Sequence, residues 1–533
     1  MKGFAMKQKC VQRASTILIL CFQTSFAQRI NPENFEYRGA FKLPAGSNGS
    51  NWEYSGYGMT FYPGGDAGGP NDGYPGSIFA IGHDHHQMVS EINIPVPVIS
   101  PGKSIDELNT AQTLQAFQDI THGMFGELEI PRADLAYLPA QGTQTTDKLY
   151  FCWGQHFQFE FFPSHGACDL NLSNPQTSGP WFFGNFTNYV TNDYLFEIPA
   201  AWADPHVPGA RLASGRFRDG GWGGHGPTLF AFDPWNDGQP PAENGTLASI
   251  TPLLLYGIQE PGVIEISTSD AMKMNGYSEA DEWSGGAWLT AGENSAVAFV
   301  GTKGLGNFWY GFSNGVVWPF EGPYPPVPEF PYDDRGWWSD SIQAQIIFFD
   351  PADFAAVARG EKQTFNPQPY AHLNLDPVLF APGFDLWDYK RYSLGACCFD
   401  RENSLLYIFE RQVVDGASLI HTWFINSNIS GVQTKSKNHS TILRQNHPNP
   451  FSHLTKIEYQ LPQPAQIELS LWDVRGRKVL QFFTGMQSTG LHQIMWTGKD
   501  SNGISVTSGI YFLQLRGSDF NLTKKIVLLP EYN

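Results

Sequence analysis

Ten histidines lie between residues 28 and 426, and several share one local setting. Gly82-His83-Asp84-His85-His86 follows an apolar run, Thr121-His122-Gly123 and Gly224-His225-Gly226 sit beside glycine, and His156 follows Trp153-Gly154-Gln155. Neutral imidazole is a ligand for zinc or a similar divalent ion, and near neutral pH it also serves as a general base or acid. If a strand runs through the first cluster, the period of two aims His83 and His85 at one target and turns His86 away. The metal candidates are therefore His83, His85 and His122. To these the Gly/Asp run at 64–73 adds Asp66 and Asp72, which together with Asn71 offer oxygen ligands to Ca²⁺. That run lacks the EF-hand spacing and its terminal Glu, and a plain surface turn is the competing reading. For the histidines, the competing role is packing and hydrogen bonding beside glycine and tryptophan.

Cations are scarce in this part of the chain. Arg216, Arg218, Arg391, Arg401 and Arg411 are candidates to clamp a carboxylate through the guanidinium fork, against ordinary ion pairing to the many acids. Arg391 with adjacent Tyr392, served by a base from His83, His85, His156 or His225, would suit β-elimination on a uronic acid polymer. The arginine would neutralise the carboxylate and the base would take the C5 proton. Aromatic density is a further signal, with 14 of the 16 tryptophans before residue 427. Trp52 and Tyr54 (with Tyr57), Trp153 (with Phe157 and Phe159), and Trp337 with Trp338 form clusters whose rings could stack on sugars, or simply fill a core. A GxSxG elbow, an HExxH pair and a phosphate-cradling glycine loop ending in Lys-Ser/Thr are all missing, which lowers the serine hydrolase, zincin and nucleotide-binding readings.

The elements that must position these residues come from the wider pattern. The 533-residue chain carries a net charge of −18, unevenly distributed. Residues 1–27 hold four Lys/Arg and no acid, residues 28–432 hold 18 Lys/Arg against 45 Asp/Glu, and residues 433–533 hold 11 against 6. A body this acidic argues against nucleic acid and against an anionic membrane surface. The length predicts more than one domain, and 55 Gly with 38 Pro argue against a helical bundle.

Lys2, Lys7, Lys9 and Arg13, the apolar run 17–22 and Ser25-Phe26-Ala27 read as a signal peptide ending at residue 27. The run is too short to span a bilayer, and no later segment approaches spanning length. Export would leave four cysteines. A Cys152–Cys168 bridge suits an oxidising compartment; adjacent Cys397 and Cys398 are read as buried thiols on a strand or as a strained pair.

Residues 28–426 alternate short apolar-aromatic runs with Gly/Pro/Asn/Asp clusters. A weak repeat ends strands in an acid followed by proline, as in Leu229-Phe230-Ala231-Phe232-Asp233-Pro234. About 400 residues at 40–50 per blade predict a β-propeller of about five to seven blades. Ring closure would pair 37–43 with 419–425. Helices are expected at 104–120 and 351–359. A jelly-roll pair or a parallel β-helix is the alternative body.

Residues 427–442 read as a polar linker, and 443–533 as short alternating strands of a small β-sandwich. Leu443-Arg444-Gln445-Asn446-His447-Pro448-Asn449-Pro450-Phe451 is similar to the opening motif of the type IX secretion (type A) C-terminal sorting domain. The likeness continues, in order, through Ile457, Tyr459, Leu461 and Pro462, Trp472-Asp473 with Gly476, Gly490 with His492 and Trp496, and Gly498, Asp500 and Gly503. It ends with Ser508-Gly509 and Tyr511, then Lys524-Lys525. Ser452-His453 departs from the family's Asn-Pro. The resemblance implies an Ig-like fold, recognition by the secretion machinery of Bacteroidetes-type bacteria, and release to the exterior or anchoring at the outer-membrane surface by way of the periplasm. Such a module is an address and says nothing of the cargo's activity.

All of this predicts an all-β secreted or cell-surface protein that binds or degrades extracellular polysaccharide, as a lyase or glycoside hydrolase if it is catalytic. Two alternatives remain: a non-catalytic surface scaffold or adhesin, and a metal-dependent propeller enzyme.

Overall fold

The computed structural model describes residues 28–427 and 442–530, apart from 67–68, 70–71, 159, 218, 237, 331, 382–392, 415, 462–464, 488–489, 501–503 and 518–520. The chain divides into two compact units, with the boundary between Ile429 and Ser430.

The first unit is a five-bladed β-propeller. From the axis outward, blade one is Met59–Tyr62, Ser77–Ile81, Val89–Asn93 and Thr113–Gln118. Blade two is Pro131–Leu138, Lys148–Gln155, His165–Cys168 and Ser178–Phe183, with Thr246–Leu247 added at its edge. Blade three is Tyr194–Glu197, Leu212–Gly215, Leu229–Phe232 and Ile250–Leu254. Blade four is Glu282–Ala291, Asn294–Phe312, Arg335–Phe349 and Ala371–Asn374. Blade five is Leu394–Asp400, Leu405–Val414 and Ala417–Ile425, completed by the N-terminal strand Phe35–Lys42. Each inner strand packs against those of both neighbours, and blade five against blade one, so the ring closes. The closure pairs Tyr37 with Trp423 and Lys42 with Leu419, as the two apolar runs predicted.

A blade is covered on both faces, so its middle strands read as unbroken apolar runs rather than as alternating ones. Ile346 and Phe348 enter one core and Ile347 and Phe349 the next. The same alternation separates two cysteines: Cys152 faces the core between blades two and three, Cys168 the one between blades one and two. All four described cysteines are free and buried, so the Cys152–Cys168 bridge is not formed.

The helix expected at 351–359 is present as Pro351–Ala358, started by Pro351 and capped by Asp350, whose Oδ1 accepts from the Ala352 amide at 2.8 Å. The helix expected at 104–120 is absent. Ile105–Glu107 forms one 3-10 turn, and Thr113–Gln118 is the outer strand of blade one, with Phe117 buried. Completing a sheet edge outweighed the local helical spacing.

The second unit is an Ig-like sandwich of two sheets. One holds Ile442–Leu443, Thr455–Leu461 and Gly490–Trp496; the other holds Lys478–Gln487, Ala465–Asp473, Gly509–Arg516 and Asn521–Leu528. Ile457, Tyr459 and Leu461 alternate inward from the first sheet, Ile467, Leu469 and Leu471 from the second.

Candidate functional site

In every blade, the connection from the second to the third strand leads to the same mouth of the propeller axis. Asp84, His156, Trp222 and the long arm after Phe312 represent the connections of blades one to four there, and Gln412, near the end of the second strand, represents blade five. Together they line a funnel of about 900 Å³. Tyr54, Tyr57 and Arg132, at the starts of inner strands, and Arg411 from blade five complete its lower part.

The wall is aromatic. Trp337 lies with its ring centroid 5.4 Å from Tyr310 and 6.1 Å from Phe308. Trp318 stacks on Tyr324 at 4.8 Å, and the Arg335 guanidinium sits 4.5 Å from the Trp318 ring. Phe308, Tyr310, Arg335 and Trp337 lie at the ends of the strands Asn294–Phe312 and Arg335–Phe349, and Trp318 and Tyr324 on the connection between them, the longest second-to-third connection in the ring. Phe320, on the same arm, is 98% exposed.

The floor is charged. Arg132 Nη1 lies 2.8 Å from Glu282 Oε1, both buried. The Arg411 guanidinium stands 4.1 Å from the Tyr57 ring centroid and that of Arg132 5.5 Å from it, so both approach one ring. Gly56, at φ +107°, leaves room for Arg411: a Cβ there would meet its Cγ at 2.8 Å. Asp193 is fully buried close by, and among the described residues neither carboxylate oxygen has a hydrogen-bond partner. Burial pushes its carboxyl up to about 6, against the opposing pull of Arg132, Arg216 and Arg411. Asp134 has a different role. Its carboxylate accepts from the amides of Met59, Leu135 and Leu195 at 2.8–2.9 Å and so stitches together the inner strands of blades one to three.

The predicted residues divide between this funnel and the core. Tyr54, His156 and Trp337 line the funnel. Trp52 is buried with its ring 4.6 Å from Phe117, Trp153 packs on Phe125 and Phe151, and Trp338 is 2% exposed and donates to the Gly311 carbonyl, so these three are core residues and not sugar platforms. The strand expected through the first histidine cluster ends at Ile81, and Asp84–His86 is a 3-10 turn. Residues three apart eclipse in such a turn. His83 therefore stacks on His86 at 4.3 Å, while His85 is exposed and its ring lies 5.9 Å away. His83 stands 5.4 Å from Tyr54 at the funnel edge, and burial holds its imidazole below the ordinary value despite Asp84 at 3.0 Å. His225 occupies the equivalent connection of blade three but stacks on Tyr277 at 4.9 Å; burial also lowers its value.

His122 is exposed in a left-handed turn at φ +51°. Asp72 accepts from the Tyr74 amide at 2.9 Å, as a turn residue does. Among the described residues no three His, Cys, Asp or Glu side chains gather to hold a metal ion, so His83, His85, His122, Asp66 and Asp72 do not assemble the predicted centre. Asn71, Arg218, Arg391, Tyr392 and Phe159 lie outside the described residues. Arg216 is fully buried and donates to the carbonyls of Asn188 and Gln155, and Arg401 binds Glu197 at the opposite mouth of the axis. Sequence reasoning missed Arg132, Trp222 and Trp318. The proline- and aromatic-rich run 318–338 was the available signal for the last of these.

Residues 452–519 match the FlgD Ig-like domain family. No curated protein matches the chain. Among solved structures, the chain is similar to PorZ, a bacterial surface component of the type IX secretion system of Porphyromonas gingivalis, at 12% identity and TM-score 0.28. That alignment covers 91% of this chain and 53% of PorZ, so the chain spans about half of that protein's length. A glycoside hydrolase family 43 arabinoxylan arabinofuranohydrolase from Bacillus subtilis aligns at 11% identity and TM-score 0.29, over 95% of this chain and 96% of the enzyme. Among the described residues no helix is long and apolar enough to cross a membrane.

Proposed function

We propose that the propeller binds extracellular polysaccharide in the axial funnel, and that the Ig-like unit addresses the chain to the type IX secretion machinery for release or display at the cell surface. The observation that carries the glycan reading is the funnel itself. Tyr54, before the first inner strand, and Tyr310, Trp318 and Trp337 of blade four stand around one cavity of about 900 Å³ with charged groups at its base. Apolar ring faces stack on sugar faces while polar groups below take the hydroxyls. The address reading rests on the ordered motifs in 443–533 and on the sandwich they form. His156 in the funnel wall supplies a candidate base should the bound glycan also be cleaved.

A panel of neutral and acidic polysaccharides, tested by affinity electrophoresis with the mature chain, checks the first part; retarded migration with at least one of them is expected. The same mixtures are assayed for unsaturated or reducing-end products, whose appearance adds a degrading role. Binding to none of the panel would overturn the glycan reading. Deleting residues 443–533 should retain the protein inside the cell envelope, and unchanged export would overturn the address.

A second reading has its own observation. Phe320, Tyr324, Val327 and Phe330 stand exposed on the blade-four arm, a patch that suits a protein partner. An adhesin of this kind would lose its partner when Phe330, which does not line the funnel, is made polar.

A further inference from the structure

We infer that the base of the funnel is a carboxylate subsite, in which Arg132 and Arg411 together clamp the acid group of one uronic acid unit while the aromatic wall holds the sugars above it. The inference rests on the glycan reading and names the class of sugar that the funnel selects.

Three features lead to it. The two guanidinium groups come from different blades, two and five, yet both approach the same ring, that of Tyr57 just before blade one. Both residues are 5% exposed and both still line the cavity, so each guanidinium sits poorly hydrated at its edge on a stem fixed by packing. For Arg411 the fixing is explicit: its amide donates to the Ser393 carbonyl at 2.9 Å, and its Cγ lies against Gly56. A planar fork held this way matches a carboxylate bidentately, and less ordering is lost on binding than with a flexible lysine.

The surrounding charges limit how much anion the site accepts. Below, Glu282 holds Arg132 in place, and Asp193 balances the cluster. Arg216 is directed to the carbonyls of Asn188 and Gln155 and does not line the cavity. Higher up, Asp84, Asp333 and Asp334 line the wall. One deep acid with neutral neighbours fits this distribution. A uniformly charged polymer would bring its other carboxylates against those three aspartates.

The test uses the full mature chain on an array of oligosaccharides that end in a uronic acid, their carboxyl-reduced counterparts of identical linkage, and sulfated analogues. Reduction should weaken binding by about tenfold or more, the scale of a lost charge-assisted hydrogen-bond pair. Arg411→Met should abolish the preference within a pair, bringing the ratio of acidic to reduced affinity to about one. Arg411→Lys should recover only part of the difference. Arg411 is chosen because removing Arg132 would leave Glu282 buried without its ion-pair partner and endanger folding; near-UV circular dichroism confirms that the variants are folded. Equal binding of acidic and reduced partners by the wild-type protein would overturn the carboxylate subsite and leave glycan binding standing. A preference for sulfate esters would also overturn it. Binding to no sugar at all would overturn both.

Discussion

The two mouths of the propeller axis are made by the same five inner strands, but they differ in almost every other respect. At one mouth the second-to-third-strand connections rise into a funnel of about 900 Å³, walled by Tyr310, Trp318 and Trp337 over Arg132 and Arg411. At the other, the later residues of the inner strands leave a cavity of about 250 Å³, closed in by Tyr137, Trp288 and Phe399 and crossed by Arg401, which binds Glu197 at 3.3 Å and the Trp288 carbonyl at 3.2 Å. The strands fix where a site can exist. The length and composition of the connections decide which mouth becomes one.

Several changes would break or sharpen that contrast. The largest effect is expected from replacing residues 314–333 with a two-residue Asn-Gly turn, which closes the hairpin and removes Trp318 and Phe320. Glycan affinity should fall by about 100-fold or more in titration calorimetry, and an unchanged value would move the site away from this mouth. Next comes a pair of tryptophans that look alike in sequence. Trp153→Ala should destabilise the propeller by about 3–5 kcal/mol in denaturant unfolding, with affinity per folded molecule kept. Trp337→Ala should do the reverse, costing about tenfold in affinity with little change in stability.

A smaller effect separates the floor from the wall. Burial pushes Asp193 up to about 6, above its unfolded value, so the folded protein takes up this proton first as pH falls. The stability linked to it is present in full below about pH 4 and is lost as pH rises through about 6. In Asp193→Asn that component disappears, and the fall in Tm between pH 4 and 6 should flatten. An unaltered slope would place the titration elsewhere, with Asp281, also raised to about 6 by burial, the first alternative. The smallest effect belongs to the other mouth. Arg401→Ala removes a partly exposed ion pair and should cost under about 1 kcal/mol and less than twofold in affinity.

Much of the architecture could be read from residue order. The pairing of Phe35–Lys42 with Ala417–Ile425 was legible because both are apolar runs at opposite ends of one acidic body. Pro351–Ala358 carries its start signal in Asp350-Pro351. At 104–120 the spacing of Ile105, Leu108, Leu114 and Phe117 imitates a helix, and only the need to complete blade one shows it to be a turn and a strand. The site was half legible. Of the candidates named from the sequence, His156, Tyr54 and Trp337 meet in one funnel. Adjacent Trp337 and Trp338 lie on a strand, where neighbours must face opposite ways, so one of them was bound to be core. Arg132 gave no local signal at all. Its meaning comes from Arg411 and Tyr57, which are distant in sequence and meet it only once the ring has closed.

The most direct test of the central claim is a crystal structure of the mature chain with an oligosaccharide cut from whichever polysaccharide the panel identifies. The account predicts sugar density in the funnel, with one ring against Trp337 and the deepest unit between Arg132 and Arg411. Density confined to the opposite mouth or to the outer faces of the blades, with the funnel empty, would contradict it.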